Sequence, residues 1–517
     1  MRTKQPLRLA VIALAVTLLA ACGSAAPTSK SGADAGPPQS GGTLRVVKQT
    51  EPSGLDPARM LNQVISESLI GSSLFGQLLT VDEQGRTTYG LAQSLTTSDK
   101  GTTWTLRLRD GLKFTDGTPL DAAAVEFNWA RLKDPAVGSP SLPFASFVKS
   151  MTPKGQTLAF TLAHPITEFG SAIASDMNFI ASPRALRAGA QRFDAKPVGA
   201  GPFVLKSWTR GGQMVLARNP KYYDSPRPYL DQLVLTFNTD THQMFASQQA
   251  GQVDAVASSA TDLLKSAEQR GLTVAASELG GGTSLTLNAR QAPFDDVRAR
   301  RAVLMGVDRR AIDAAVYQDE ATVPKTLFAD GSPYNGDTTL PTYDKAAAQK
   351  LFDQLAAEGK PVRFTITTYQ VTQLKRVAEA IQAQLDQYRN VHVEVEALDY
   401  STAVTKTVRH QFQSIISAVT FDRPSPRLYT MLATGQSNNI GGVSSPALDA
   451  ALSAAMSAAD EKTRRQANEK VAALFNQLAP ALLYTRSVYG LAYGHQVHGV
   501  ELYARSAIRT DTLWMSK

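Results

Sequence analysis

The side chains that most often catalyse reactions or bind metals are sparse and scattered in this sequence. It has one cysteine, Cys22, and six histidines, of which only His495 and His498 lie close together. The extended or turn context expected there does not place two imidazoles on one helix face, and no acid or cysteine completes a metal-binding set. A Gly-x-Ser-x-Gly elbow, a His-Glu-x-x-His motif and a Gly-x-x-x-x-Gly-Lys loop are also absent. We therefore predict no catalytic centre, no resident metal and no cofactor.

A cluster of charged residues begins at Asp295-Asp296. Acidic residues favour the positive end of a helix dipole, so this pair predicts the start of a helix that runs to about Val316. Basic residues recur along the same helix, and we interpret them as its solvated face. They are Arg298, Arg300, Arg301, Arg309 and Arg310.

The composition is that of a globular protein with several domains. The chain has 517 residues, of which 43% are hydrophobic and 19% charged, and a length of about 150 residues per domain predicts roughly three units. One cysteine excludes an intrachain disulfide framework and a cysteine-rich metal site. The formal net charge of +8 is compatible with a nucleic-acid partner, but the amino terminus argues against one.

The amino terminus has the pattern of an export signal. Arg2, Lys4 and Arg8 precede an apolar run at 9–21, which is shorter than the roughly 20 residues of a spanning helix. Leu19-Ala20-Ala21-Cys22 resembles a bacterial lipobox, in which the chain is cut before the cysteine and its thiol is lipidated. We predict a signal peptide at 1–21 and a lipid anchor on Cys22; the alternative is an ordinary signal peptide that leaves a free thiol.

Residues 22–42 are nearly all Ala, Gly, Ser and Pro. Such a segment cannot repay its ordering entropy, so we expect a flexible tether with a reach of about 25 Å. The globular part is therefore expected at the outer face of the cell membrane, where nucleic acid is not a partner.

The remaining chain mixes strand and helix patterns. Trp104, Leu106 and Leu108 alternate with polar residues and predict a strand, and Asp121 is a plausible cap for a helix at 122–132. The second half predicts a helix at 344–358, a strand at 362–367, a helix at 372–388 and a strand at 391–398. Strands joined through helices predict parallel pairs, whose ligands bind at the carboxyl ends of the strands. The loops after Thr368 and Val419 are the candidate places.

Several segments, taken in chain order, resemble one family, the extracytoplasmic solute-binding proteins (family 5) of peptide, nickel and related ABC importers. They are EPSGLDP at 51–57, WTLRLRDGLKFTDGTPLDAAAV at 104–125, GAGPF at 199–203, NPKYY at 219–223, GQVD at 251–254, and PFDDVRARRA at 293–302 with Asp308-Arg309. Together they extend over most of the chain that follows the predicted tether.

The resemblance implies an α/β, two-lobed periplasmic-binding-protein-like fold (type II, cluster C), with a third subdomain inserted in the first lobe. Lobe 1 is expected at 43–283 with the inserted subdomain at about 76–195, lobe 2 at 284–486, and a return to lobe 1 at 487–517. Crossings are expected near 282–288 and 484–490. A monomer that closes on a solute and is then recognised by an ABC permease is the implied mechanism.

The resemblance also suggests the ligand-binding residues. VTFDRPSP at 419–426 is similar to the family's W-x-x-D-x-x-D-P loop, so Asp422 is expected to take the amino terminus of a peptide, beside Thr420 and Phe421; its alternative role is to cap local amides next to Pro424. The other candidates are Tyr369, Leu61, Asn62, Gln63, Asn438 and Asn439.

Three functions remain open from the sequence. Asp422 favours an oligopeptide, a dipeptide or a similar amine-bearing solute. Val419 and Ser425 stand where the family has an aromatic residue and a second acid, which favours a sugar oligomer or a metal chelate. An exported lipoprotein hydrolase with an unrecognised site is the third possibility.

Overall fold

The structure is a computed structural model that describes residues 36–60, 65–82, 84–504 and 506–517. The predicted signal peptide, Cys22 and most of the predicted tether lie outside these residues. Gly41 and Gly42, the last two tether residues, are already held in place: the amide of Gly41 donates to the Tyr229 carbonyl at 2.8 Å and that of Gly42 to Asp231. These two bonds attach Gly41 and Gly42 to lobe 1, although both residues were predicted as part of the tether.

A seven-stranded mixed sheet forms the core of the first lobe. Its spatial order is Thr273–Glu278, Val488–Tyr493, Ala255–Ser258, Thr43–Lys48, Gln232–Phe237, Gln213–Arg218 and Phe203–Trp208. The strand Thr43–Lys48 runs parallel to both of its neighbours, and the other pairs are antiparallel. The carboxyl end of Thr43–Lys48 consequently points toward the crossing between the lobes.

A five-stranded sheet forms the core of the second lobe. Its spatial order is Val391–Leu398, Val362–Tyr369, Ser414–Phe421, Gly280–Leu287 and Ala481–Thr485. Val362–Tyr369 pairs in parallel with the strands on both sides, and the helix Thr372–Leu385 connects it to Val391–Leu398. The parallel pairing expected from the alternation of helices and strands is therefore confirmed.

A four-stranded antiparallel sheet has a separate core. Its strands come from the part of the chain between Thr43–Lys48 and Phe203–Trp208. Its order is Ala92–Thr97, Thr103–Leu108, Thr157–Leu162 and Val148–Lys154. Trp104, Leu106 and Leu108 are buried on one face as their alternation predicted. The helix Ala122–Leu132 packs on this sheet, and the side chain of Asp121 caps it by accepting from the Ala124 amide at 3.0 Å.

The other elements surround these three sheets. The helices are Ile65–Phe75, Leu142–Ala145, Phe169–Asp176, Pro183–Leu186, Ala190–Ala195, Thr241–Gln249, Thr261–Gln269, Val297–Gly306, Arg309–Ile312, Lys345–Ala357, Tyr400–Val408, Arg427–Leu432, Pro446–Ser457 and Glu461–Leu478, with a 3-10 turn at Pro57–Arg59 and a π-helical turn at Asp313–Tyr317. Short two-stranded ladders join Leu79–Val81 with Thr87–Tyr89, Val497–His498 with Trp514–Met515, and Leu502–Tyr503 with Ala507–Ile508.

The helix predicted from Asp295 to Val316 is interrupted. It ends at Gly306, Val307 is extended, and Asp308 caps a new helix by accepting from the Arg310 amide at 2.9 Å. Asp308 acts as a helix cap because its side chain accepts a hydrogen bond from a backbone amide in the first turn that has no partner within the helix. The prediction that all five arginines lie on a solvated face was also wrong in part. Arg300 is buried and donates to the carbonyls of Phe294 and Leu478.

The chain crosses between the two large sheets twice. The first crossing is at Leu279, between Thr273–Glu278 and Gly280–Leu287, which is a few residues earlier than predicted. The second is at Arg486 and Ser487, between Ala481–Thr485 and Val488–Tyr493. We call these two short crossings the hinge.

Candidate functional site

A cavity of about 340 Å³ lies beside the hinge, where parts of both lobes meet. One wall is the end of the strand Thr273–Glu278 and the start of Gly280–Leu287. The loop at 329–334 and the residues at 421–423 contribute from lobe 2, and Ala504 contributes from the carboxyl-terminal segment. Because both lobes line it, the cavity changes shape whenever the lobes move relative to one another.

The strand Ser414–Phe421 delivers Asp422 to this cavity. The Phe421 ring is buried against Phe328, with the ring centroids 5.7 Å apart, and it fills the space above Gly280 that a side chain would otherwise occupy. This packing fixes the end of the strand, so Asp422 and Arg423 emerge at the cavity. Thr420, one position earlier, is a buried strand residue that pairs with Gly281 and does not line the cavity.

Three carboxylates line the cavity: Glu278, Asp330 and Asp422. Burial raises the pKa of Glu278, an effect that Arg486, 3.6 Å away, partly opposes. No ion pair of Asp330 or Asp422 is found within the described parts of the chain. An acidic lining of this kind favours a ligand that carries a positive charge.

The two arginines next to the cavity are committed to other partners. Arg486 is 3% exposed, and its guanidinium donates to the carbonyls of Gly281, Thr326, Leu327 and Phe328. Arg423 pairs with Glu168 and donates to the Tyr334 hydroxyl at 2.7 Å. Arg486 therefore offsets the charge of Glu278 and Arg423 that of Glu168, so Asp330 and Asp422 are the lining carboxylates for which no ion pair is found in the described chain.

Tyr369 lies at the carboxyl end of the strand next to Ser414–Phe421, but it does not line the cavity. Its ring packs beside Tyr400, with the centroids 5.6 Å apart, and burial raises the pKa of its hydroxyl. The sheet therefore brings Tyr369 to the same edge as Asp422 without placing the two side chains in one cavity.

Asn438 and Asn439 lie at the opposite end of the lobe 2 sheet and do not line the hinge cavity. The Asn439 amide donates to the carbonyls of Leu432, Ala433 and Val443, which organises its own loop. Gly441 in this loop accepts from the Ala289 amide, just past Leu287. Phe421 pairs with Gly280 and Ser414 with Leu287, so the loop meets the end of the sheet farthest from Asp422. Leu61, Asn62 and Gln63 lie outside the described residues.

No pattern in the sequence singles out Glu278, Asp330, Tyr334 or Arg486. The available signal was the run Gly280-Gly281-Gly282, since three consecutive glycines in a strand indicate close backbone approach. An alanine Cβ at Gly281 would lie 1.7 Å from the Val419 carbonyl oxygen. The run begins directly after the crossing at Leu279, and its first residue, Gly280, lines the cavity together with the residues just before it.

A second cavity, of about 410 Å³, lies on lobe 1 between the helices Thr241–Gln249 and Thr261–Gln269. It is larger than the hinge cavity, but its lining comes from lobe 1 alone. We take the hinge cavity as the candidate site because charged groups of both lobes converge there.

Lys48 is a fully buried lysine at the carboxyl end of its strand in lobe 1. Its ammonium donates to the Thr50 carbonyl and lies 5.2 Å from the centre of the Phe237 ring. Burial lowers its pKa to about 8. The folded state therefore disfavours the charged form of this side chain.

Replacing Lys48 by methionine is expected to raise the free energy of unfolding at pH 7 by about 2–3 kcal/mol, because it removes the cost of burying a charge. Between pH 8 and 10.5 the unfolded chain binds more protons than the folded one, so the wild-type protein should become more stable as pH rises through this window. Chemical denaturation at pH 7 and 10 measures both effects. Lys206→Met, at an exposed strand position, is the control; equal effects of the two substitutions would contradict the prediction.

The described residues contain no helix that is both long and apolar enough to cross a bilayer. They also contain no group of three or more His, Cys, Asp or Glu side chains arranged to hold a metal ion.

The sequence model for "Bacterial extracellular solute-binding proteins, family 5 Middle" matches residues 86–440. The chain belongs to this family. Its curated relatives include the glutathione-binding protein GsiB of Escherichia coli (strain K12), which is 26% identical over 345 residues. That alignment covers 65% of this chain and 66% of GsiB, slightly less than two thirds of the relative's length.

Solved structures with the same fold include two with different ligands. The oligopeptide-binding protein AppA of Bacillus subtilis, in complex with a nonapeptide, superposes with a TM-score of 0.77 at 21% identity and covers 93% of this chain and 100% of AppA. AgaA of A. tumefacien R10, in complex with agropinic acid, has a TM-score of 0.80 at 21% identity and covers 92% of this chain and 99% of AgaA. The two-lobed α/β fold of the periplasmic binding proteins is thereby confirmed.

Proposed function

We propose that this family 5 protein is the solute-binding component of an ABC importer and that it takes an amine-bearing solute, a dipeptide or oligopeptide, into the hinge cavity. The observation that carries the proposal is the position of Asp422, which the buried Phe421 places at a cavity lined by both lobes. Its carboxylate provides a partner for a ligand ammonium group. GsiB is a glutathione-binding protein, and glutathione is itself a peptide with an amine, which agrees with this choice.

In this proposal, ligand binding is coupled to lobe closure. A ligand that touches both lobes stabilises the closed form by its differential affinity for that form, and the permease then recognises the closed protein. The lipid on Cys22 would hold the protein at the outer face of the membrane, where the captured solute is transferred. The protein itself carries out no reaction.

A non-peptide solute is the second candidate, and two observations favour it. Val419 stands where the family loop has an aromatic residue, and Ser425 replaces the second acid. Ser425 is buried, and its carbonyl accepts from the Ser171 hydroxyl at 3.1 Å, so it takes part in a contact with the inserted subdomain. AgaA, with a bound agropinic acid, shows that the fold also accommodates ligands other than peptides.

Thermal unfolding with small peptides, glucose oligomers and metal chelates tests the proposal. A ligand at one hundred times its Kd is expected to add about 2.7 kcal/mol to the free energy of unfolding. Peptides with a free amino terminus should raise the Tm, and their amino-acetylated forms should raise it much less. Stabilisation by glucose oligomers or chelates in the absence of any peptide effect would overturn the peptide assignment.

The variant Asp422→Asn is expected to weaken amine-bearing peptides by at least tenfold, because it removes the charge that faces the ammonium group while keeping the shape of the side chain. Titration calorimetry with dialanine measures the loss. Asp319→Asn, outside the cavity, serves as the control. If acetylated and free peptides lost affinity equally in Asp422→Asn, Asp422 would instead be a loop-capping residue.

A further inference from the structure

The cavity of about 410 Å³ on lobe 1 lies between one face of each of two helices. Residues at positions i, i+3, i+4 and i+7 share one side of a helix. Thr241–Gln249 lines the cavity at 242, 245, 246 and 249, and Thr261–Gln269 with its cap lines it at 263, 266, 267 and 270. Ala246, Ser266 and Ala267 are short, so they leave open the space that longer side chains would fill between the helices.

The floor of this cavity is apolar. Phe245 and Ala267 are buried there, and Leu263 and Leu272 are half-buried. All four side chains belong to, or pack against, a hydrophobic cluster that extends into the strands of the lobe 1 sheet. The floor is therefore held in place by packing and exists before any ligand binds. An apolar floor at an open cavity favours a ligand with an apolar part.

The ionisable groups that line the cavity are basic. Among its described lining residues only His242 and Arg270 are ionisable, and both are exposed at the opening. No ion pair of either residue is found in the described parts of the chain. The acids of the two helices and their caps do not line the cavity: Asp240 is the cap of the first helix, and Asp262 and Glu268 lie off the lining face of the second. The cavity therefore presents positive charge above an apolar floor.

We propose that this cavity is a second binding site of the protein, which takes a small amphipathic anion, an aliphatic carboxylate. The Arg270 guanidinium donates to the carboxylate, whose two oxygens match its planar fork, and the alkyl chain lies on the floor beside Phe245. A volume of about 410 Å³ lies within the range of small-molecule sites, about 300–1,000 Å³. The inference is independent of the proposed function, since the two cavities share no lining residue.

Titration calorimetry of the full chain with octanoate, octanol and octylamine tests the class of ligand. Octanoate is expected to bind with a Kd of about 1 mM or lower. Octylamine has the same chain with the opposite charge and is expected to bind at least about fivefold more weakly. A weaker octanoate complex, or a smaller difference between the two ligands, would overturn the inference.

The variant Arg270→Gln tests the role of the cation. Its Kd for octanoate is expected to be at least about threefold higher than that of the wild type, the size of effect that an exposed ion pair gives, and close to its Kd for octanol. Arg192→Gln, at an exposed position outside the cavity, is the matched control. Equal octanoate affinities of the two variants would overturn the inference.

The variant Ala246→Leu tests the location of the ligand, because it places a larger side chain in the cavity at an exposed helix position. Its Kd for octanoate and for octanol is expected to rise at least about fivefold, since both chains use the same floor. Ala250→Leu, at the exposed cap of the same helix and outside the lining, is the matched control. An unchanged octanoate Kd in Ala246→Leu would place the anion elsewhere and overturn the inference.

Discussion

Replacing Gly281 by alanine is expected to destabilise the protein by more than about 4 kcal/mol, the range of the most damaging single substitutions. Gly281 has a φ of +73° at the start of a central strand, and an added Cβ would lie 1.7 Å from the Val419 carbonyl oxygen. The clash is with backbone, so no side-chain rotation relieves it, and the neighbouring strand would have to move. Chemical denaturation of the purified variant measures the loss.

The matched control is Gly331→Ala, in the loop that lines the same cavity. Gly331 has no positive φ, and an added Cβ there would meet nothing within 4 Å. This variant is expected to unfold within about 0.5 kcal/mol of the wild type. A Gly281 variant as stable as the Gly331 variant would show that the hinge backbone tolerates a different path.

Replacing Arg486 by methionine is expected to cost about 4 kcal/mol or more. Its guanidinium bonds to the carbonyls of Gly281, Thr326, Leu327 and Phe328 at 2.6–3.2 Å. Each buried acceptor left without a donor costs about 1–3 kcal/mol, whereas removal of the buried cation itself returns part of this. The substitution therefore weakens the junction of the hinge and the loop that carries Tyr334.

Arg301→Met is the control for that measurement. Arg301 is exposed and donates only to the Gln477 carbonyl within the described chain. Its loss is expected to change the free energy of unfolding by less than about 1 kcal/mol. Similar costs for the two arginines in urea denaturation would contradict the structural role given to Arg486.

Local patterns predicted much of the fold because they depend on neighbours in the chain. The Trp104 strand, the helix capped by Asp121, and the strand at 391–398 were predicted within a residue or two. The break at Val307 was missed because Asp308 competes as a helix cap against an otherwise continuous helical pattern. Arg300 was misplaced because its acceptors, the carbonyls of Phe294 and Leu478, come from tertiary packing.

The site was less predictable, since it is assembled from distant segments. Asp422 was predicted from one loop that resembles the family, whereas Glu278, Asp330 and Tyr334 come to the same cavity from segments distant in the chain. Asn438 and Asn439 were predicted beside Asp422 but lie away from the hinge cavity, because a polar loop gives no sign of which end of a sheet it covers. The register of Gly280–Leu287 against Ser414–Phe421 is needed to show that this loop covers the end of the sheet farthest from Asp422.

A crystal structure with the ligand found by thermal unfolding is the most direct test that the solute is held between the two lobes. The ligand is predicted to lie in the hinge cavity, with its amine within hydrogen-bond distance of the Asp422 carboxylate and with contacts to both lobes. A ligand bound instead in the lobe 1 cavity between Thr241–Gln249 and Thr261–Gln269, with the hinge cavity empty, would contradict this account.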